Sequence, residues 1–190
     1  MSAPADLAAA AAVCGDLVLV PALQRTDLLA APVAAALPGW AGAAAAAVTE
    51  IDAAVADTAA LVAAHGVAAE ASANCVVVAG KRDGQERTAA CVVLATTRAD
   101  VNGAVKRLLD VRKASFLPVE RAVAETGMEF GGITPLGLPT GWRVLVDAAV
   151  ARAGYVVIGS GVRRSKLVVR GADLAALPGA QVVPGLGLPA

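Results

Sequence analysis

Between positions 126 and 139 the chain reads Thr126-Gly127-Met128-Glu129-Phe130-Gly131-Gly132-Ile133-Thr134-Pro135-Leu136-Gly137-Leu138-Pro139, with four glycines and two prolines. No regular helix or strand runs through such a stretch, so the fold must be assembled from elements that meet around it. Paired Gly131 and Gly132 let this backbone approach a ligand closely, and Pro135 stiffens the exit. Such a loop can aim several N–H groups at one oxygen, which suits an anion or a polarised carbonyl. A tight connection between two elements is the competing explanation.

The patterns on either side define the elements. Residues 8–13 and 26–37 read as short helices broken by Pro21 and Pro38-Gly39, with Thr26 or Asp27 as an N-cap. Glu50-Ile51-Asp52 suggests a short strand or turn. Asp57-Thr58 opens a helix that ends at Gly66. Cys75-Val76-Val77-Val78-Ala79 is an apolar strand, residues 80–85 a polar turn, and residues 87–95 its return, which together make a hairpin. A helix capped by Asp100 or Asn102 follows, then a brief link or strand over 110–114 and a second helix opened by Pro118. Beyond the loop come strands at 143–147, 155–158 and 165–169, a helical turn over 172–177, and an irregular Pro/Gly-rich tail. Hairpins mixed with helices, without βαβ alternation, predict an α/β fold of mixed α+β layers. An Ala-rich helical N-terminal extension would occupy 1–48 and the main domain 49–190.

A length of 190 residues suits one domain with a small extra element. The hydrophobic fraction of 57% and mean hydropathy of +0.67 look membrane-like, but alanine inflates both. The longest uncharged run, 28–49, is broken by Pro32, Pro38, Gly39 and Gly42, so it makes a poor span. The N-terminus has no basic residue before Arg25 and does not read as a secretory signal. A soluble, cytoplasmic protein is expected.

The net charge of zero hides an asymmetry. Residues 1–75 hold Arg25 against seven acids, which leaves 15 basic and 9 acidic residues in 76–190. A basic body of this kind suits a polyanion partner, although solvated surfaces can be skewed in the same way. Its cations fall in three clusters: Lys81/Arg82/Arg87, Lys106/Arg107/Arg112/Lys113 and Arg163/Arg164/Lys166/Arg170. Arg163 and Arg164, directly after Gly159-Ser160-Gly161, are the best phosphate candidates. Any one of them could equally be an ordinary surface charge.

Several chemistries are set aside. Cys14, Cys75 and Cys91 form no CxxC, so no disulfide framework or structural zinc is expected, and Cys75 and Cys91 read as buried filler. One histidine, His65, cannot make a metal site, and it sits where a helix C-terminus favours a cation. There is no P-loop, HExxH or complete dinucleotide fingerprint, so neither metal nor cofactor is called for. Aromatic residues make up 3% of the chain, which leaves little for stacking platforms.

From about position 50 onward the chain resembles the YbaK/EbsC family, trans-editing aminoacyl-tRNA deacylases related to the editing domain of bacterial prolyl-tRNA synthetase. The resemblance rests on Ala56-Asp57-Thr58, His65-Gly66-Val67, the run from Thr126 to Gly137, Leu145-Val146-Asp147, and Gly159-Ser160-Gly161 with Arg163. It implies a mixed α/β layer domain around a central, partly barrel-like sheet. It also implies hydrolysis of the ester on a mischarged tRNA, such as Ala- or Cys-tRNA(Pro), without a cofactor. Gly131, Gly132, Thr134 and Pro135 would form the loop that holds the aminoacyl carbonyl and orients water. Asn74 occupies the position where the family usually has a catalytic lysine. Cys75, Ile133, Asp147, Gly159, Ser160, Gly161 and Arg163 would border the substrate.

Two further readings follow from the residues. With an amide at Asn74 in place of a charge, the chain could be a catalytically weakened tRNA- or nucleotide-binding module of the same fold. Residues 1–48 could instead serve a small-molecule or peptide contact. The partner expected first is the acceptor end of an aminoacyl-tRNA, with a tRNA synthetase or a second copy as candidates for the N-terminal extension.

Overall fold

The computed structural model describes residues 6–189. Residues 1–5 of the expected extension and residue 190 of the expected domain lie outside that range. The helices are α1 (Leu7–Ala11), α2 (Ala31–Ala36), α3 (Thr58–His65), α4 (Lys106–Leu109), α5 (Val119–Thr126), α6 (Ala148–Arg152) and α7 (Gly171–Ala175). The strands up to the glycine loop are β1 (Val20–Pro21), β2 (Ala47–Glu50), β3 (Ala73–Arg82), β4 (Gln85–Leu94), β5 (Thr97–Ala99) and β6 (Ala114–Phe116). After it come β7 (Arg143–Asp147), β8 (Tyr155–Gly159), β9 (Ser165–Arg170), β10 (Ala180–Val183) and β11 (Gly187–Pro189).

The strands form a mixed α/β architecture with two principal sheets. One is antiparallel in the order β1-β2-β9-β8, and the other is mixed in the order β10-β7-β4-β3-β6. β5 and β11 pair separately, and no sheet closes into a barrel. The expected mixed layers are present, with the expected central sheet divided in two. An isolated parallel bridge between Ser72, just before β3, and Val157, in the middle of β8, joins the sheets.

Apolar alternation sets the layers. Val48, Val156, Ile158, Leu167 and Val169 face Val92, Val144 and Val146 across the inter-sheet core. Val157 and Val168 turn to the other side, under α1 and Leu61 of α3. Val78, Cys91 and Leu145 pack beneath Val105 and Leu109.

The hairpin turn is shorter than the sequence suggests. β3 and β4 pair in register from Ala73–Leu94 to Arg82–Gln85, which leaves Asp83-Gly84 as a two-residue turn. The expected helix over 26–37 is broken. A tight turn over Thr26–Leu28 is followed by extended backbone, where Ala30 N donates to Ser160 O at 3.1 Å, and helix resumes at α2 with Pro32 in its first turn. The tail is not irregular: β10 adds to β7 and β11 to β5. These two strands are held by distant partners, which local composition does not reveal.

The boundary drawn between 48 and 49 passes through β2. Leu28, Val33, Leu37 and Trp40 belong to the same buried cluster as Val156 and Leu167, and Trp40 Nε1 donates to Asp173 O at 3.2 Å. Residues 20–48 are therefore part of the inter-sheet core. Leu37→Ala should lower stability by about 3 kcal/mol. A chain lacking residues 1–48 should lose cooperative thermal unfolding, read by circular dichroism.

Candidate active site

The glycine loop closes onto the β8–β9 turn through backbone contacts. Gly161 N donates to Gly132 O at 2.7 Å, Glu129 N to Gly161 O at 2.8 Å, and Gly132 N to Glu129 O at 2.9 Å. The approach leaves no room for side chains. A Cβ at Gly159 would lie 2.3 Å from Gly132 O, and one at Gly132 would lie 2.7 Å from Val162 O. Arg163 fixes the loop from outside. Its N–H donates to Glu129 Oε2 at 2.6 Å, and its guanidinium donates to Ala53 O at 2.8 Å and Phe130 O at 3.4 Å.

This docking shapes a cavity of about 320 Å3 at the seam between the two sheets. β3 supplies Asn74 and Cys75, β8 supplies Val157 to Gly159, and the loop supplies Phe130, Gly131 and Ile133. Val77, Leu117 and Ala122 make an apolar wall, and Thr58 and Lys166 close the remaining side. Among the described residues, the N–H groups of Gly131 and Ile133 have no protein acceptor. Gly131 is held at φ +84°, a conformation that other residues rarely take.

Of the residues singled out in the sequence, the cavity gathers Asn74, Cys75, Gly131, Ile133 and Gly159. Asn74 is exposed, and its Oδ1 accepts from Thr58 Oγ1 at 3.1 Å. Burial, followed by the neighbouring Cys91 thiol, pushes the Cys75 thiol well above its ordinary range, so it stays protonated and is a poor nucleophile.

The others lie behind or beside the cavity. Gly132 and Gly161 form the backbone contact already described. Thr134 and Pro135 are buried behind the loop, where Thr134 Oγ1 has no hydrogen-bond partner. Ser160 Oγ joins a buried network with Ser165 Oγ at 2.7 Å and Ser165 O at 2.9 Å. Asp147 caps α6 by accepting from Ala149 N at 2.6 Å, and it also accepts from Gly187 N. Arg163 clamps the loop, and Arg164 donates to Asp27 O. His65, the lone histidine, pairs with Asp16 at 2.8 Å on the far end of α3.

The sequence reading missed three contributors. Both phenylalanines of the chain stand at the cavity, and Phe116 and Phe130 are 61% and 60% exposed. A low aromatic count therefore coexists with aromatic placement at one mouth. The third is Lys166. It is 7% exposed, and its Nζ donates to Ala56 O at 2.6 Å. Grouped with Arg163 and Arg164 it looked like surface charge. Its position before Leu167-Val168-Val169, in a strand buried on both faces, was the available signal.

Burial, chiefly, and the nearby Arg163 push the Lys166 ammonium down to about 8, against a smaller upward effect of Asp57.

A family model described as the aminoacyl-tRNA editing domain matches residues 52–177. The chain belongs to that family. The editing domain's fold is also that of solved structures with which it shares less than a quarter of its residues. One is a candidate trans-editing enzyme for prolyl tRNA synthetase, at 23% identity over 88% of this chain and 98% of that one, with TM-score 0.68. Another is the hypothetical protein APE2540, at 21% identity over 74% and 90%, with TM-score 0.65. A third is a scaffold from epitope backbone grafting by computational design, at 24% identity over 90% and 99%, with TM-score 0.67. No curated protein matches this sequence. Among the described residues, no helix of the editing domain is long and apolar enough to cross a membrane.

A charge held at a lowered pKa in the folded state works against folding while it remains protonated. The Lys166 penalty is present below pH 8 and is relieved as pH rises toward the ordinary lysine value. Lys166→Met should therefore stabilise the fold at pH 7 by about 2 kcal/mol. That gain should vanish near pH 10.5, measured as the difference in denaturant midpoint across pH.

Proposed function

We propose that this editing domain is a trans-acting aminoacyl-tRNA deacylase that hydrolyses the ester of a mischarged tRNA. The observation that carries the proposal is the seam cavity, walled by apolar side chains and lined in part by Gly131 and Ile133, whose N–H groups have no protein acceptor among the described residues. Uncommitted donors beside an apolar-walled pocket suit the carbonyl oxygen of an ester, whose negative charge grows as water adds. The thiol at the cavity, Cys75, is held protonated and is a poor nucleophile, and we read direct attack by water as the step. The cavity's size and apolar lining suit a small aminoacyl group of the alanine or cysteine class, on a tRNA(Pro)-like carrier.

The surroundings suit a single-stranded acceptor end. Phe116 and Phe130 offer ring faces at the mouth on which a terminal base can stack. A second hollow shares Phe116 and Leu117 and is bordered by Lys81, Lys113 and the paired Arg121 and Glu86, a net positive rim. Such cations beside a stacking surface favour a phosphate backbone.

A tRNA- or nucleotide-binding module without turnover is the second reading. The exposed Asn74, with its carbonyl oxygen engaged by Thr58, favours it. The two readings separate on a panel of mischarged tRNAs. Release of the amino acid faster than in buffer is expected for at least one small aminoacyl group, and none would leave the binding module.

Gly131→Ala forces a Cβ to within 2.7 Å of Arg163 Nη1 at a positive φ, so kcat should fall about tenfold or more. Phe116→Ala and Phe130→Ala should each raise KM several-fold, with kcat nearly unchanged, because stacking holds the base equally before and during the reaction. Steady-state deacylation kinetics read both effects.

A further inference from the structure

The cavity walls are neutral except at one point: among the described residues that line it, only Lys166 carries a formal charge at neutral pH. An ammonium in this setting is costly to bury, and no ion pair compensates it among the described residues. Nζ spends one donor on Ala56 O, which leaves two. Lys166 sits opposite Gly159 in the β8–β9 register and lies on the Val168 face of β9, which meets α3. It lines the same cavity as Gly131, reaching it from β9 while Asn74 and Cys75 reach it from β3.

We propose that Lys166 is a catalytic residue of this site, donating a proton to the ribose oxygen that departs when the aminoacyl ester is cut. The proposal rests on the deacylase reading. In the step, the oxygen of a water bonds to the ester carbon, and the carbonyl π electrons move to the carbonyl oxygen beside the loop amides. As those electrons return, the bond between carbon and ribose oxygen breaks, and the ribose oxygen takes a proton from the Lys166 ammonium. The proton shed by the attacking water restores the ammonium. Ester and water give acid and alcohol, and Lys166 ends as it began.

An acid in this role works best when its pKa lies near the working pH, and Lys166 is poised at about 8. Arg163 on the β8–β9 turn and Asp57 before α3 are the charges that act on it. Its β3-side neighbour at the cavity is the protonated Cys75 thiol, and its strand partners Gly159 and Thr49 do not titrate. The competing role is a tie that merely holds the Ala56 carbonyl.

The test combines trapping with kinetics. Periodate-oxidised tRNA carries a dialdehyde in place of the 3′ ribose diol. With cyanoborohydride as reductant, it forms a stable amine bond to a lysine that touches that ribose. Full-length protein should be labelled at Lys166, mapped by mass spectrometry, and intact tRNA should compete for the label. In deacylation, Lys166→Met should lose at least about 100-fold in kcat. Wild-type kcat, corrected for reaction in buffer, should fall as pH rises through about 8. Lys166→Arg should remove that break, because guanidinium does not titrate in this range.

Labelling confined to Lys81 or Lys113 overturns the proposal, as does a pH break that Lys166→Arg leaves in place or a Lys166→Met enzyme with wild-type kcat. If Lys166 is labelled but the wild type hydrolyses nothing in the panel, the contact with the ribose stands and the hydrolytic reading fails.

Discussion

The structure depends on the close passage of two backbones, Gly132 against Gly159 and Gly161. The 2.7 Å bond from Gly161 N to Gly132 O, and the absence of any Cβ at the crossing, bring the long loop flat against the end of β8. A Cβ at Gly132 or Gly159 would lie 2.7 Å or less from a backbone oxygen and force the loop off the turn, and the bonds through Glu129 and Arg163 would be disturbed with it. Everything placed at the cavity by the loop follows from that contact: Phe130 at the mouth, Gly131 in the lining, and Ile133 bridging to Val77 and Leu117. Interior backbone must have its polar groups satisfied, and the loop satisfies many of its own through the β8–β9 turn. Of the cavity-lining loop residues, Gly131 and Ile133 keep N–H groups with no protein acceptor among the described residues.

The second constraint is the division of the strands into two sheets. A continuous sheet would align β3 and β8 along their length and leave no space between them. Here they share a single bridge at Ser72 and Val157, and below it they diverge around the apolar pocket. The N-terminal segment makes that division possible. Leu28, Val33, Leu37 and Trp40 fill the inter-sheet core, and Ala30 N reaches the carbonyl of Ser160. Alanine-rich sequence suits this job because small side chains let short turns lie close on a sheet.

What could be read from the sequence depended on how local its cause was. α3 was legible because Asp57 and Gly66 mark its ends within eleven residues, and the β3–β4 hairpin because Asp83-Gly84 sits between two apolar runs. β10 and β11 were not, since each exists through a strand more than thirty residues away. The glycine loop declared itself by composition, but composition could not show which of its residues face the pocket. Thr134 and Pro135 share a motif with Gly131 and yet lie behind it. Lys166 was hidden by its neighbours: Arg163, Arg164 and Arg170 surround it in sequence, whereas period two turns it inward.

Those two residues, Asn74 and Lys166, give the site its character. Asn74 stands at the start of β3, exposed and hydrogen-bonded to Thr58, where the family resemblance leads one to expect a lysine. Lys166 reaches the same cavity from the other sheet, and among the described residues no carboxylate forms an ion pair with it, Asp57 acting only weakly. A buried ammonium is retained against its own desolvation only if something offsets the loss, and the bond to one carbonyl oxygen offsets a small part of it. A neutral side chain of similar length would fill the same volume without that cost. The charge makes physical sense when the cavity holds oxygen atoms that become more negative during a reaction, because the interaction then grows where the barrier is highest. By that reasoning the destabilised lysine and the uncommitted loop amides are two halves of one arrangement. In the proposed deacylation the amides take the oxygen that gains electrons first, and the ammonium takes the oxygen that leaves.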